Sequence, residues 1–448
     1  MNSKIIHFSF LVIGFLLFSS PLISQRLPEE EWLKVDTGGY VLPAFIREEE
    51  NRIQGDVTLL HPFLEKLRQL KISGGQHQVR VVHIGDSHLQ AGYLNGTVMR
   101  RFHADFGNAG RGLVVPLKLS NTNEPIDYDI ISDISWNAAR CLSKRPPYPV
   151  GIGGISIVPR DTVFTLGIEI PSAEAVQYRF TQVDVYHLPG AAVLQPLEKG
   201  VVREEAPYPF ITRFRLEQPL SRLFFKGRVQ VKDSCVYYGF NLENGQDGVL
   251  YHTIGINGAQ YIHYQNIDRF PEQVESLHPD LIIFSLGTNE AFRGSFSEDF
   301  IRDEMDAVVL RLQQMSPEAV IVLTTPAECQ WKIKQGKTQA FEPNPYIEQI
   351  AGTIEKYARE NGFLYWDLFG MSGGKQSSEN WIAGDYLSRD RIHFAVSGYR
   401  LQGNMFYNAL MKEYNHYIDI LQQEKEGQEE EMWKEILFPV YGLNKSIQ

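Results

Sequence analysis

Leu281-Ile282-Ile283-Phe284 is a run of apolar residues with no polar interruption. A strand that is apolar at successive positions has both faces buried, and that is the condition of a parallel sheet covered by helices on each side. A second such run is Ala319-Val320-Ile321-Val322-Leu323, and a shorter one is Phe363-Leu364-Tyr365. Val79, Val81, Val82 and Ile84 make a β-branched stretch that stops at Gly85, and residues 249–255 are a further strand candidate. Helical patterns lie between these runs. Leu59, Leu60, Phe63, Leu64, Leu67 and Leu70 share one helical face behind Asp56, and residues 93–106 continue the pattern. Ser295 with Glu298 reads as a capping box before a helix over 298–315. Residues 345–361 predict a helix stopped by Gly362, and residues 398–414 a final one. Strands alternating with helices imply a parallel sheet with helices on both faces, α/β in class.

Residues 116–245 break that alternation. Phe164, Leu166, Ile168 and Ile170 fall on one face of a strand pattern, as do Val183 and Val185. Thr212, Phe214 and Leu216 alternate with Arg213 and Arg215, and Val229 and Val231 with Arg228, Gln230 and Lys232. Pro and Gly clusters at 146–147, 151–154 and 189–190 punctuate these runs. Short strands between turn signals predict a β-sandwich or jelly-roll module inserted into the α/β domain. The expected layout is therefore 25–115 and 246–415 for the α/β domain, 116–245 for the β module, and 416–448 for an acidic tail. Trp433, Ile436, Leu437 and Phe438 offer that tail a way to dock.

The N-terminus reads as a targeting segment. Lys4 precedes an apolar run over 5–18, and Ser19, Ser20 and Ser24 follow it. The run is too short to span a membrane comfortably, so residues 1–24 are expected to be a cleaved signal peptide. The mature protein is then exported, periplasmic or secreted, with no stable membrane insertion. Forty-three Lys and Arg against 54 Asp and Glu leave a net charge of −11, which disfavours nucleic acid as a partner. Three cysteines, Cys141, Cys235 and Cys329, exclude a disulfide framework and allow at most one bridge, Cys141 with Cys235 being one pairing to consider.

Four short segments carry the chemistry. Ile84-Gly85-Asp86-Ser87-His88 puts a serine directly after a strand and at the start of a helix, at the sheet edge where α/β folds place their sites. Gly255-Ile256-Asn257-Gly258-Ala259 is a tight turn whose glycine can aim a backbone N–H at a ligand. Ser285-Leu286-Gly287-Thr288-Asn289-Glu290 brings an uncharged donor, Asn289, to the same edge. Arg389-Asp390-Arg391-Ile392-His393 spaces Asp390 and His393 so that one turn presents both. A nucleophile, a base, an orienting carboxylate and oxyanion donors are the parts of acyl transfer.

These blocks resemble those of the SGNH hydrolase superfamily, also called GDSL esterases, over residues 79–115 and 249–414. The resemblance implies a three-layer α/β/α, flavodoxin-like domain. It assigns Ser87, Asp390 and His393 as the catalytic triad, and Ser87, Gly258 and Asn289 as the oxyanion hole. His88 replaces the usual Leu and Glu290 a common Asp. The chain is more closely similar to bacterial peptidoglycan O-acetylesterases of this type, which share the Gly-Asp-Ser-His block and a Gly-rich continuation like residues 107–112. In that family a β module resembling a carbohydrate-binding domain is inserted between the first two blocks. The implied activity is removal of O-acetyl groups from a polysaccharide, most of all peptidoglycan, with no cofactor and no metal. The same triad serves an O-acyltransferase, and a degenerate glycan-binding domain is the non-enzymatic alternative. A metallophosphoesterase, suggested by Asp86-x-His88, lacks its Gly-Asp-x-x-Asp segment here.

Other residues have plainer readings. His83 lies within a strand and is expected to be structural; His88, beside the nucleophile, is a candidate substrate contact at the mouth of the site. The 107–112 loop lacks the Lys and Ser/Thr of a phosphate loop. Trp136, Tyr237, Tyr238 and Phe240 are either sugar platforms or core.

Overall fold

The computed structural model describes residues 31–72, 77–191, 194–229, 234–267, 269–335 and 338–442. The predicted signal segment 1–24 therefore lies outside the described residues, as do Gln230, Val231 and Lys232. The described residues form two compact units, 35–417 and 31–34 with 418–442.

The first unit is built on a six-stranded sheet in the order Ile53–Gln54, Leu364–Trp366, Val320–Thr324, Leu281–Ser285, Gln78–Gly85, Gly248–Gly255. All neighbours run parallel except the Ile53–Gln54 edge. Taken in chain order, the five parallel strands are arranged 2-1-3-4-5, the flavodoxin-like doubly wound order. Alternate residues of each strand enter different layers. Val82, Ile84, Ile282, Phe284, Ile321 and Leu323 pack with Tyr264, Val274, Met305, Ile350 and Ile354 of the helices on one face. On the other face Phe102 of the helix Leu94–Phe106 meets Phe63, Tyr251 and Tyr407 at centroid distances of 6.4, 6.2 and 5.0 Å. Continuous apolar strands are thus explained by burial on both sides, each large side chain contributing about 1.5–3 kcal/mol.

Between the first two parallel strands run the strands of two antiparallel sheets. The larger has the order Val201–Glu204, Ile211–Leu220, Phe180–His187, Tyr237–Glu243, Ile155–Pro159, Trp136–Arg140, with Gly112–Val114 also paired to Tyr237–Glu243. The smaller has the order Asp129–Ser132, Val163–Glu169, Arg222–Arg228, Gln195–Pro196. They pack face to face as a sandwich: Phe225 of the smaller sheet lies 4.9 Å from Phe214, and Phe164 lies 5.1 Å from Trp136. The alternating pattern seen in the sequence is this inner face. Trp136, Tyr237, Tyr238 and Phe240 are all buried, so the sugar-platform reading gives way to core. Gly112–Val114 joins this sheet ahead of the expected start at 116. The Gly-rich 107–112 loop lies along the Gly248–Gly255 strand, with Val249 N–H donating to Gly107 O at 2.9 Å and Asn244 N–H to Ala109 O at 2.9 Å. Cys141 and Cys329 are buried thiols.

Three local expectations need correction. Asp56 caps a 3-10 turn, Val57–Leu60, by accepting Thr58 N–H, and the α-helix His61–Ile72 follows. The helix starting at Glu298 is capped by Ser297, which accepts Phe300 N–H, and not by Ser295. The last helix does not stop near 414; it spans Val396–Gly442. Residues 396–417 of it belong to the first unit. The acidic stretch continues the helix because Glu, Gln and Lys are good helix formers. In the second unit Lys34 pairs with Glu31 at 2.9 Å and Asp419 at 2.8 Å. The side chains of Trp433, Ile436, Leu437 and Phe438 lie outside the described residues. Among the described residues no helix is long and apolar enough to cross a membrane.

Candidate active site

In a 2-1-3-4-5 sheet the crevice opens beyond the carboxyl ends of the strands where the winding reverses, here between Gln78–Gly85 and Leu281–Ser285. Gly85 is aligned with both Ser285 and Gly255, so the loops after three strands leave the sheet at one level. A side chain at 85 does not fit, since a Cβ there would lie 2.6 Å from Leu89 Cδ1 and 2.7 Å from Ser285 O. Asp86 then caps the turn by accepting His88 N–H at 2.9 Å, and Ser87 becomes its first residue. That helix is one turn long, Ser87–Gln90, so directed N–H groups and not a macrodipole are what it offers to negative charge.

The loop 388–393 supplies the other two residues. His393 Nε2 lies 2.9 Å from Ser87 Oγ, and His393 Nδ1 lies 2.7 Å from Asp390 Oδ2. The second oxygen of Asp390 accepts Ile392 N–H at 3.0 Å, His393 N–H at 2.9 Å and the Ser388 hydroxyl at 2.7 Å. Partial burial alone would raise the Asp390 carboxyl, but the His393 side chain, Ile392 N–H, Ser388 and His393 N–H outweigh it. They hold the group well below the usual carboxylate range. With Nδ1–H given to Asp390, Nε2 is the acceptor for the Ser87 hydroxyl. Buried Phe394, edge-on to Trp381 at 5.0 Å, anchors the loop.

Gly258 sits at φ +82° in a turn closed by Ala259 N–H to Ile256 O at 2.9 Å, a conformation that only glycine adopts without strain. The sequence did not flag Gln90, which positions this turn. Its Oε1 accepts Asn257 N–H at 2.7 Å, while its Nε2 donates to Thr122 Oγ1 at 2.9 Å and Asn123 O at 2.8 Å. Asn289 reaches the same edge, but its Nδ2 donates to Asp86 Oδ2 and Ala259 O, both at 3.0 Å. Both amide hydrogens are engaged, so contact with an oxyanion requires one of these bonds to be shared or released. Glu290 braces the two loops, accepting Gly287 N–H at 3.0 Å and Tyr261 N–H at 2.9 Å, and burial pushes it up to about 7.

His88 turns its Nδ1 to Tyr399 Oη at 3.0 Å, with its ring 5.5 Å from that of His393. Burial, with His393 nearby, pushes it down to about 3, so it is a neutral ring packed beside His393. His83 is structural: it bridges Tyr251 Oη and Ser285 Oγ, each at 2.7 Å.

Burial pushes the Asp86 carboxyl from 3.8 up to about 7, against the pull of His88 N–H, His393 and Asn289. The folded state therefore holds this proton between about pH 4 and 7 while the unfolded chain releases it. Stability from this group is full below pH 4 and is lost as pH rises toward 7. Asp86→Asn removes that dependence. Its unfolding free energy in denaturant is expected to gain on wild type between pH 4.5 and 8; parallel curves would place the charge elsewhere.

Residues 234–401, which include Gly258, Asn289, Asp390 and His393, match the GDSL-like lipase/acylhydrolase family. No curated protein sequence matches the chain. Among solved structures, a peptidoglycan O-acetylesterase aligns over 81% of this chain and 98% of its own, with a TM-score of 0.65 and 19% identity. An acetyl xylan esterase is 24% identical over 36% of this chain and 81% of its own, with a TM-score of 0.29. A lipase/acylhydrolase from Enterococcus faecalis is 17% identical over 37% and 77%, with a TM-score of 0.28. Residues 234–401 thus resemble the GDSL-like lipase/acylhydrolase family, and the chain shares its fold with the peptidoglycan O-acetylesterase structure.

Proposed function

We propose that this acylhydrolase is an exported serine esterase that removes O-acetyl groups from a polysaccharide, peptidoglycan first. The observation that carries the chemistry is the unbroken chain Ser87 Oγ, His393 Nε2, His393 Nδ1, Asp390 Oδ2, with spacings of 2.9 and 2.7 Å. Ser87 Oγ attacks the acetyl carbonyl and His393 Nε2 takes its proton. Asp390 orients the ring and stabilises the imidazolium. Backbone N–H groups of Ser87 and Gly258, with one N–H released by Asn289, stabilise the oxyanion. Collapse expels the sugar alkoxide, which takes the proton from His393, and leaves acetyl on Ser87. Water, deprotonated by His393, then releases acetate and restores the serine.

Hydrolysis is favoured over transfer to a sugar because the base is open to water: the His393 and Asp390 side chains are 40% and 46% exposed. The polysaccharide reading rests on the signal-like N-terminus and on the fold shared with a structure named as a peptidoglycan O-acetylesterase. It also rests on a β module over 116–245, proposed to hold a long chain so that remote binding assists the reaction. Acetate release from O-acetylated peptidoglycan, acetylated xylan and a lipid ester, measured in parallel with and without a glycan acceptor, tests the proposal. Peptidoglycan is expected to lead and acetate to appear in solution. A preference for the lipid ester overturns the polysaccharide reading; acetyl on the acceptor makes the protein a transferase.

A further inference from the structure

Basic residues cluster on and beside the loop that carries Asp390 and His393, in a protein whose net charge is −11. The hairpin of Gln330–Gln335 and Thr338–Pro343 is tied to the triad loop by Gln330 N–H donating to Arg391 O at 2.8 Å. Residues 332 and 334 share one face of the hairpin with Phe341, because Lys332 is the register partner of Phe341 and the side-chain period is two. Glu342 pairs with Trp331 and so belongs to the opposite face. Lys332 Nζ and Arg391 Cζ each lie 5.7 Å from the centroid of the Phe341 ring. Two cations therefore converge on one ring, one of them carried by the loop between Asp390 and His393. Exposed Arg389 precedes that loop's Asp390. Exposed Lys144 and Arg145 follow Leu142, whose Cδ2 lies 3.0 Å from where a Cβ on Gly258 would stand.

Among the described residues none of these six cations is in an ion pair. Elsewhere Arg213, Arg293 and Arg302 each sit on a carboxylate at 2.5–2.7 Å. Three carboxylates close in sequence or by contact to Gln330 and Arg391 are already engaged. Glu328 accepts Gln376 and Ser378 N–H at 2.5 and 2.7 Å, Glu379 accepts the Gln330 amide at 2.7 Å, and Asp390 holds His393. Unpaired like charges gathered on an aromatic ring repel one another until an anion lies between them. A glycan ring stacked on Phe341 with a carboxylate toward Lys332 and Arg391 meets both needs.

We propose that the hairpin face of Lys332, Lys334 and Phe341, with Arg391, recognises a carboxylate-bearing glycan chain running past the triad. Acidic polymers are then selected over neutral ones. This deepens the esterase reading and rests on it, but its test does not require turnover. Polygalacturonate and its methyl-esterified form share a backbone and differ in charge. Binding of each to the wild-type protein is measured by titration calorimetry at low and at high salt.

Wild type is expected to bind polygalacturonate roughly tenfold or more tightly than the esterified polymer, with the preference collapsing in high salt. Lys332→Glu with Lys334→Glu is expected to abolish the preference. Lys332→Arg with Lys334→Arg is expected to retain it. Equal binding of the two polymers by wild type, or a preference that survives charge reversal, overturns the proposal. Aryl acetate hydrolysis by the same wild-type preparation reports separately on the esterase reading, so the two fail by different measurements.

Discussion

Ser87→Ala is expected to lower turnover of a small aryl acetate by about four orders of magnitude or more, with the fold intact. Ser87 Oγ is the atom 2.9 Å from His393 Nε2, and removing it leaves the base with no hydroxyl to activate. Water held by the remaining donors reacts far more slowly than a positioned serine. The backbone is unaffected, since Ala suits the first position of a helical turn and Asp86 still caps it. Far-UV circular dichroism and the denaturation midpoint should therefore match wild type. Initial rates on p-nitrophenyl acetate decide the matter. Activity within about tenfold of wild type would reject Ser87 as the nucleophile. Wild-type activity removed by a chelator would point to metal-assisted hydrolysis instead.

Asp390→Asn should cost about three to four orders of magnitude in kcat, although the shape of the side chain is kept. The substituted amide can still accept Ile392 N–H, His393 N–H and the Ser388 hydroxyl through its carbonyl oxygen, so the loop retains its turn. Its N–H₂ group then faces His393 Nδ1, where wild type offers an acceptor at 2.7 Å. The ring must place its proton on Nε2 to suit that donor. Nε2–H then points at Ser87 Oγ and cannot accept the serine proton. The loss should fall on kcat, with KM nearly unchanged, because Asp390 acts on the base and not on substrate binding. Nitrogen-15 NMR of the histidine ring reports the tautomer directly. Near-normal kcat in the variant, or an unchanged tautomer, would remove Asp390 from the reaction.

The residues proposed to carry the chemistry were legible because each stands within a few residues of a strand end or on one tight turn. Local pattern locates strand ends well: the buried runs at 281–284 and 319–323 lie within a residue or so of the observed strands. It does not locate partners distant in sequence. Asn289 reads as a plain donor until Asp86, 203 positions away, is seen to take one of its hydrogens. Gln90 carries no signal in the sequence, and its role is seen only when the chain brings Thr122, Asn123 and Asn257 to it. Glu290 reads as a substitution for Asp until its two oxygens are found bracing Gly287 and Tyr261. Ser295 and Ser297 are equally good caps by composition, and only the backbone entering the helix chooses between them.

Hydrophobic period, by itself, determined that a parallel sheet is interrupted by an antiparallel sandwich, because burial on both faces and burial on one face leave different periodicities in the chain. The same pattern set Ser87, Gly258 and Asn289 after successive strands, and the spacing of Asp390 and His393 allowed one turn to hold both. Only the tertiary structure decided the strand order that opens a crevice between Gln78–Gly85 and Leu281–Ser285. It alone set the 2.9 Å meeting of His393 with a serine 306 positions earlier, and the bond that ties Gln330 to Arg391 on the loop of Asp390 and His393. Period is a property of neighbouring residues and survives in a linear string. Register between distant strands, and the choice of which buried polar groups satisfy one another, depends on contacts that form only when the whole core closes.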